Sequence, residues 1–329
     1  MSADGERSGS DGRIEIRRAR HDDYDDVLAF TGDLWSDRGG DYIPRIYHEW
    51  LEDNDEPKKT FVAAVDGTVV GLVQGVMVSA DEAWFQGMRV HPDYRRLGVS
   101  TRLNEAGFAW ARDRGATVGR IMVFSWNTAG LGAARAGGYG PVTEFRWAHP
   151  EPTSDGAAID TPETHRVTND PAAAWRYWTH SDARTHLDGL GLAPEETWAV
   201  RELVRDDFDR FADETAVFAV ESADGLAGAA YRTRSVERST DGDDGDATET
   251  WAEYGVAAWE DVDATRSLFA AIARDAADLG ADRTRVLIPE TVAVVSDASA
   301  AGSEVSDEPD FVLGIDLAAD ARAFDDRIE

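Results

Sequence analysis

The sequence predicts an α/β protein of two domains in tandem, and three observations carry that expectation. Around residues 84–111 an apolar run, a tight break and an amphipathic repeat read as strand, turn and helix. Upstream, Asp66-Gly67 joins two alternating apolar runs, a strong hairpin signal. The second half then repeats the order of hairpin, helix, Gly-Ala and apolar strand. A chain of 329 residues suits two domains on a prior of roughly 100–200 residues each.

Taken in order, residues 1–12 are rich in Ser, Gly and Asp and are expected to be disordered. Residues 14–19 read as a strand, and 22–31 as a helix whose acidic first turn suits the helix dipole. A second helix is expected at 44–51. The hairpin spans 61–65 and 68–78, and 84–90 forms the next strand. His91-Pro92-Asp93 breaks it, after which Leu103, Ala106, Gly107, Trp110 and Ala111 repeat at helical spacing. A strand at 118–124, a short helix at 127–139 and a strand at 144–149 complete a first domain of 13–149. Residues 150–164 have linker composition, small and polar with three prolines, Pro150, Pro152 and Pro162. The second domain is 165–329.

Between strand and helix, Arg95-Arg96-Leu97-Gly98-Val99-Ser100 puts small residues where backbone amides must approach a ligand. A helix N-terminus free of bulky side chains suits an anion, because its unbonded amides and its dipole both face outward. These six residues resemble the acyl-CoA signature of the GNAT acetyltransferases, Gln/Arg-x-x-Gly-x-Gly/Ala, with Ser100 in the last small position. The preceding strand, the V-x-P-x-x-R run and the Asn127…Gly138-Tyr139 segment agree with that family. The resemblance covers about 14–147. It implies that each domain is a mixed, mostly antiparallel sheet flanked by helices.

It further implies direct transfer of an acetyl group from acetyl-CoA to an amine in a ternary complex. Arg95, Arg96, Leu97, Gly98, Val99 and Ser100 would form the cofactor cradle. Met88 and Val90 match main-chain contacts to the pantetheine arm and thioester, and Asn127 matches a CoA contact. Asn also suits a helix N-cap, and both roles are compatible. Asp81 and Glu82 open the strand that often carries a catalytic Glu in the family, or are simply turn residues after Ser79-Ala80. The position that usually carries a Tyr acid is Ala134, which cannot donate a proton. The run from Gly39 to Leu51 is similar to the histidine N-acetyltransferase-like branch, making Tyr42, His48, Glu49 and Arg89 candidate contacts to a free amino acid or other small amine. An acetyl-CoA-binding sensor without turnover is the alternative.

Composition bounds the rest. There are 64 acidic and 33 basic side chains, a net charge of −31, and lysine only at 58 and 59. An even acidic coat depleted of lysine is expected of a protein adapted to molar salt, where screening removes self-repulsion. Without a Lys/Arg stripe, nucleic-acid binding is disfavoured. There is no cysteine, the seven histidines show no metal spacing, and no apolar run reaches the roughly 18 residues of a membrane span. A cytoplasmic protein acting on small molecules, without metal, is the expectation; the oligomeric state is not readable. The acidic insert 240–249 reads as a solvated loop.

Aligning Gly115-Ala116 with Gly280-Ala281 sets Arg95 opposite Glu260, Gly98 opposite Asp263 and Ser100 opposite Thr265. Carboxylates would repel a pyrophosphate, and losing the glycine obstructs close backbone approach. The second domain is therefore expected to be a degenerate copy that binds no CoA.

Overall fold

The computed structural model describes residues 13–52, 56–154, 161, 164–239 and 248–319. The expected disordered segment 1–12, most of the acidic insert and part of the 150–164 stretch lie outside the described residues. The chain divides into two compact units, Met1–Gly119 with Asp316–Glu329, and Arg120–Ile315.

In the first unit, β1 (Glu15–Arg18), β2 (Lys58–Val65), β3 (Thr68–Met77) and β4 (Glu82–Val90) pair antiparallel in chain order. Asp66 (φ 51°) and Gly67 (φ 87°) both lie in the left-handed region, the type I′ turn expected of a two-residue hairpin. Helices α1 (Tyr24–Thr31), α2 (Ile43–Ile46) and α3 (Glu49–Glu52) bury Val27, Phe30, Ile43, Trp50 and Leu51 against Val62, Val69 and Leu72. The helix expected at 44–51 is thus two short ones. It breaks where Tyr47 turns fully inward and its hydroxyl donates to the Arg20 carbonyl at 2.8 Å.

Helix α4 (Val99–Arg112) packs on β2, β3 and β4 through buried Val99, Leu103, Phe108, Trp110 and Ala111. Gly71, where α4 rests, alternates with Leu72, which belongs to the α1–α3 cluster, so the two helical layers cover opposite faces. The approach is close: a Cβ on Gly75 would lie 2.8 Å from the Trp110 ring. The unit is tied off by a segment from far along the chain. The Leu317 amide donates to the Thr117 carbonyl, and the Thr117 amide to the Asp81 carbonyl, each at 2.8 Å.

The chain passes into the second unit within β5 (Val118–Phe124), followed by α5 (Thr128–Ala136), β6 (Gly140–His149) and β7 (Arg166–Thr168). Next come α6 (Pro171–His180), α7 (Asp182–His186), β8 (Leu190–Leu192), β9 (Val200–Glu202) and α8 (Arg205–Glu214). Strands β10 (Ala216–Ser222), β11 (Gly225–Ser239) and β12 (Thr248–Trp259) lead to α9 (Val262–Asp278) and β13 (Arg283–Pro289). Helix α10 (Val292–Ala300), β14 (Glu304–Val305) and β15 (Asp310–Asp316) finish the described elements.

The main ladder of this unit runs β15-β6-β13-β12-β11-β10-β7, with β14 also on β6. All its pairings are antiparallel except β12 with β13. Each unit is therefore a mostly antiparallel sheet flanked by helices, and the second is mixed. Strand β6 pairs with β13 (Trp147↔Leu287) and with β15 (Thr143↔Val312). Those ladders hold residues 140–149 inside the second unit, so the compact units divide at Gly119 and not at the 150–164 stretch.

The second unit repeats the order of elements of the first. Hairpin β10–β11, then β12, α9, left-handed Gly280 and β13 reproduce hairpin β2–β3, then β4, α4, left-handed Gly115 and β5. The pairing of Gly98 with Asp263 needs correction, however. The residues that cap the two helices are Gly98 and Asp261, because α9 has 17 residues against 14 in α4.

Candidate active site at the start of helix α4

Strand β4 carries a bulge near its end, where Gly87 and Met88 together face Val73; the register passes from Gln74↔Gln86 to Leu72↔Arg89. After Val90 a 3₁₀ turn, Pro92–Tyr94, is capped by the His91 ring, whose Nδ1 accepts the Asp93 amide at 3.2 Å. Two left-handed residues then reverse the chain, Arg96 (φ 63°) and Gly98 (φ 80°). For arginine that conformation costs roughly 1–2 kcal/mol. A Cβ on Gly98 would meet nothing within 4 Å, so the backbone conformation, not crowding, is what requires glycine.

The consequence is an uncapped helix start. Gly98 brings no side chain to the first turn of α4, and no acidic residue stands in that turn. The amides of Val99, Ser100 and Thr101 have no carbonyl four residues back inside the helix, while Arg102 already bonds to the Gly98 carbonyl at 3.1 Å. Val99 (1% exposed) and Leu103 anchor this end in the core, so the amides are held rigidly. Arg95, Arg96 and Leu97 stay exposed, with Arg95 Nε 3.4 Å from the Val90 carbonyl. Rigid amides, the helix dipole and two exposed guanidinium groups are the parts that an anion cradle requires.

Of the residues expected to line a CoA site, Met88, Val90, Arg95, Arg96, Leu97, Gly98, Val99 and Ser100 are contiguous on this strand–turn–helix segment. Asn127 lies in the second unit, where its carboxamide caps α5 by accepting the Gly130 amide at 2.9 Å. Ala134 is buried on α5, and Tyr139 is 2% exposed, its hydroxyl raised far above the usual phenol range by burial. Tyr139 is thus a packing aromatic.

The two carboxylates expected as bases stand apart from the cradle. Asp81 and Glu82 are at the opening of β4, and Met88 is six residues on, about 20 Å at a strand's rise. Asp81 is exposed and takes the Ser79 hydroxyl at 2.9 Å; Glu82 is buried and its amide bonds to Ser79 Oγ at 3.1 Å.

The expected acceptor contacts fall into two groups. Arg89 is bound bidentately by Asp41, Nε to Oδ2 at 2.7 Å and Nη2 to Oδ1 at 3.1 Å, with the Asp41 side chain fully buried. Its guanidinium lies 4.3 Å from the Trp35 ring centre and 5.5 Å from that of Tyr42. His48 instead stacks on His21, with Nδ1 atoms 2.9 Å apart, beside Tyr24. His21 also lines a cavity of about 460 Å³ with Arg17, Arg18, Ala19, Arg20 and Leu51. Glu49 points to solvent. Asp41 and Trp35 are the residues that sequence reasoning missed. A contact across 48 residues leaves no local pattern.

The start of α9 is built differently. Asp261 caps it by accepting the Ala264 amide at 2.9 Å, and Asp263 takes Arg266 at 3.0 Å. The carboxylate already occupies the place of an anion.

Comparisons with known proteins agree with this geometry. Residues 21–138 match the model of the Acetyltransferase (GNAT) family. A histidine N-acetyltransferase of Xenopus tropicalis is 32% identical over 91 residues, 27% of this chain and 27% of that protein. A human protein named probable N-acetyltransferase 16 is 33% identical over 100 residues, 29% of this chain and 26% of its own length. The chain therefore spans about a quarter of the length of the curated relatives it matches. Among solved structures, a GCN5-related N-acetyltransferase from Sphaerobacter thermophilus superposes with a TM-score of 0.55 at 14% identity, covering 92% of this chain and 96% of that one. A putative acetyltransferase from Thermoplasma acidophilum gives 0.52 at 14% identity, covering 92% and 99%. These likenesses establish the fold over most of the chain.

Proposed function

We propose that the protein is an acetyl-CoA-dependent N-acetyltransferase acting on the primary amine of a small molecule, with a free amino acid the favoured acceptor. The observation that carries the reading is the uncapped, acid-free start of α4, held open by left-handed Gly98 directly after β4. Its amides would bind the pyrophosphate of acetyl-CoA, with Arg95 and Arg96 adding charge. Main-chain groups of Met88 and Val90, beyond the bulge, would hold the pantetheine arm and polarise the thioester carbonyl.

The amine attacks the thioester carbonyl, the tetrahedral oxyanion collapses, and the thiolate leaves with the acetyl group now on nitrogen. The separation along β4 argues against Glu82 or Asp81 as the base, so the amine's proton passes to water. With Ala134 at the position of the usual Tyr, the thiolate also takes its proton from water. The family match over 21–138 supports acetyl transfer, and the name of the Xenopus relative supports an amino-acid acceptor. Arg89, fixed by Asp41 and flanked by Tyr42 and Trp35, is assigned to one wall of the acceptor site, and His48 and Glu49 to its approach. The second unit, whose matching helix is capped by Asp261, is read as a degenerate copy that binds no CoA. The charge of −31 supports a protein of a salt-rich cytoplasm.

A second reading, an acetyl-CoA sensor without turnover, is favoured by one observation, the alanine at 134. The test is CoA-thiol release in molar KCl from acetyl-CoA with amino acids, polyamines and aminoglycosides. Release that depends on one amine class is the expected result. Saturable acetyl-CoA binding with no release for any amine would establish the sensor.

A further inference from the structure

Arg89 carries more donors than its partners take. A guanidinium has five N–H groups. Nε and Nη2 donate to the two oxygens of Asp41, and Nη1 donates to the Met88 carbonyl at 3.0 Å. Among the described residues these three bonds are all, so one N–H remains on each terminal nitrogen. The side chain is 12% exposed, so the group reaches solvent.

Its partner is built into the fold. The Asp41 side chain is fully buried, and its Oδ1 takes the Ile43 amide at 3.1 Å as well as Arg89 Nη2. With three donors on it, the carboxylate has its direction set by the backbone at the start of α2, and it fixes the direction of Arg89 in turn. A buried carboxylate without such donors would be strongly disfavoured. Of the two charges, the cation is the outer one.

Backbone conformation in the same wall points the same way. Trp35 has φ 57°, left-handed and strained for a tryptophan, and its ring centre stands 4.3 Å from the guanidinium carbon. The Gly40 amide bonds back to the Trp35 carbonyl at 2.8 Å, closing the turn that delivers Asp41. One short segment, 35–41, thus brings both an aromatic ring and a carboxylate to a single arginine.

The place of Arg89 on β4 gives the spare donors a use. It follows the bulge at Gly87 and Met88, and its Nη1 bonds to the carbonyl of Met88, whose main chain is assigned to the thioester. In an α-amino acid only the α-carbon separates amine from carboxylate. A carboxylate bound by the two remaining N–H groups therefore keeps the amine beside the bulge, where the thioester carbonyl is to be attacked.

We propose, on the reading of Arg89 as one wall of the acceptor site, that Arg89 recognises the α-carboxylate of the acceptor and that Asp41 is its positioning residue. The site then selects free α-amino acids against amines that lack this carboxylate.

The experiment is calorimetric titration of the full chain, in the presence of CoA, with each standard L-amino acid and its α-carboxamide. Thiol release from acetyl-CoA is then measured with the same pairs. At least one free amino acid is expected to bind saturably, about tenfold or more tighter than its carboxamide. The net charge of −31 would by itself favour the cationic carboxamide, so this preference reports the local site. Arg89→Gln should bring the pair within about threefold of each other, and Arg89→Lys, a cation without the planar fork, should lower the preference by about threefold or more. Asp41→Asn should shrink the preference at unchanged affinity for CoA, a change that a purely structural carboxylate would not produce. Where either neutral variant does not fold, Arg89→Lys decides, since it keeps a cation beside Asp41. The proposal is overturned if no free amino acid binds, if acid and carboxamide bind alike, or if the preference survives in full in Arg89→Gln or Arg89→Lys. Selective binding without thiol release upholds the carboxylate site and removes the transferase reading. Thiol release that is equal for amino acids and carboxamides does the reverse.

Discussion

Helices α4 and α9 follow the same succession of strands in their own units, yet their first turns are opposites. At α9 a carboxylate cap from Asp261 takes the Ala264 amide, the ordinary way to satisfy a helix start. At α4 the cap is a left-handed glycine with nothing to offer the amides, and an arginine two residues earlier is also held left-handed. The first arrangement contributes about 1 kcal/mol of stability and closes the site. The second forgoes that contribution and leaves the amides without a side-chain cap. What distinguishes the open helix start from the capped one is thus the cap and not the helix, whose buried faces are alike in character: Leu103, Phe108 and Trp110 in one, Leu268, Phe269 and Ile272 in the other.

The sharpest way to break the comparison is to give α4 a carboxylate. Gly98→Asp should weaken acetyl-CoA binding by at least about 100-fold, some 2.8 kcal/mol, measured by calorimetric titration. An unchanged Kd would remove the cradle from its assigned role. Neutralising the flanking charge is expected to do less. The double variant Arg95→Gln, Arg96→Gln should lose about tenfold in affinity, because exposed charges are screened. The reciprocal change, Asp261→Ala, should lower stability by about 1 kcal/mol, which for a unit of this size is roughly 2–4 °C in Tm. It should give α9 no affinity for acetyl-CoA, as a second binding event in titration would reveal. Smallest of all, Glu82→Gln should alter kcat/KM by less than about twofold, where loss of a working general base costs 10²–10⁴. A drop of that larger size would return the base to the start of β4.

The sequence made the first of these helix starts legible and blurred the second. Everything needed at α4 lies within a dozen residues: the strand end, the Pro turn, the glycine and the amphipathic repeat. The hairpin at Asp66-Gly67 and the Asn127 cap were readable for the same reason, since turn and cap chemistry acts within a few residues. The start of α9 was misplaced by two residues because α9 is three residues longer than α4 while Gly280 follows it one residue sooner than Gly115 follows α4, and no local signal records helix length. The Asp41–Arg89 pair and the pairing of β6 with β13 and β15 were not legible at all. Each joins segments tens to more than a hundred residues apart, and register between distant strands is set by packing that a single sequence does not display.

The bond from the Leu317 amide to the Thr117 carbonyl has a consequence for synthesis on the ribosome. The two residues are separated by about 200 positions, and translation adds roughly 5–20 residues per second, so the partner emerges some 10–40 s after Thr117 does. Through that interval the first unit exists without its final tie, while the whole of the second unit is being made. The part of the chain that begins first is the part completed last.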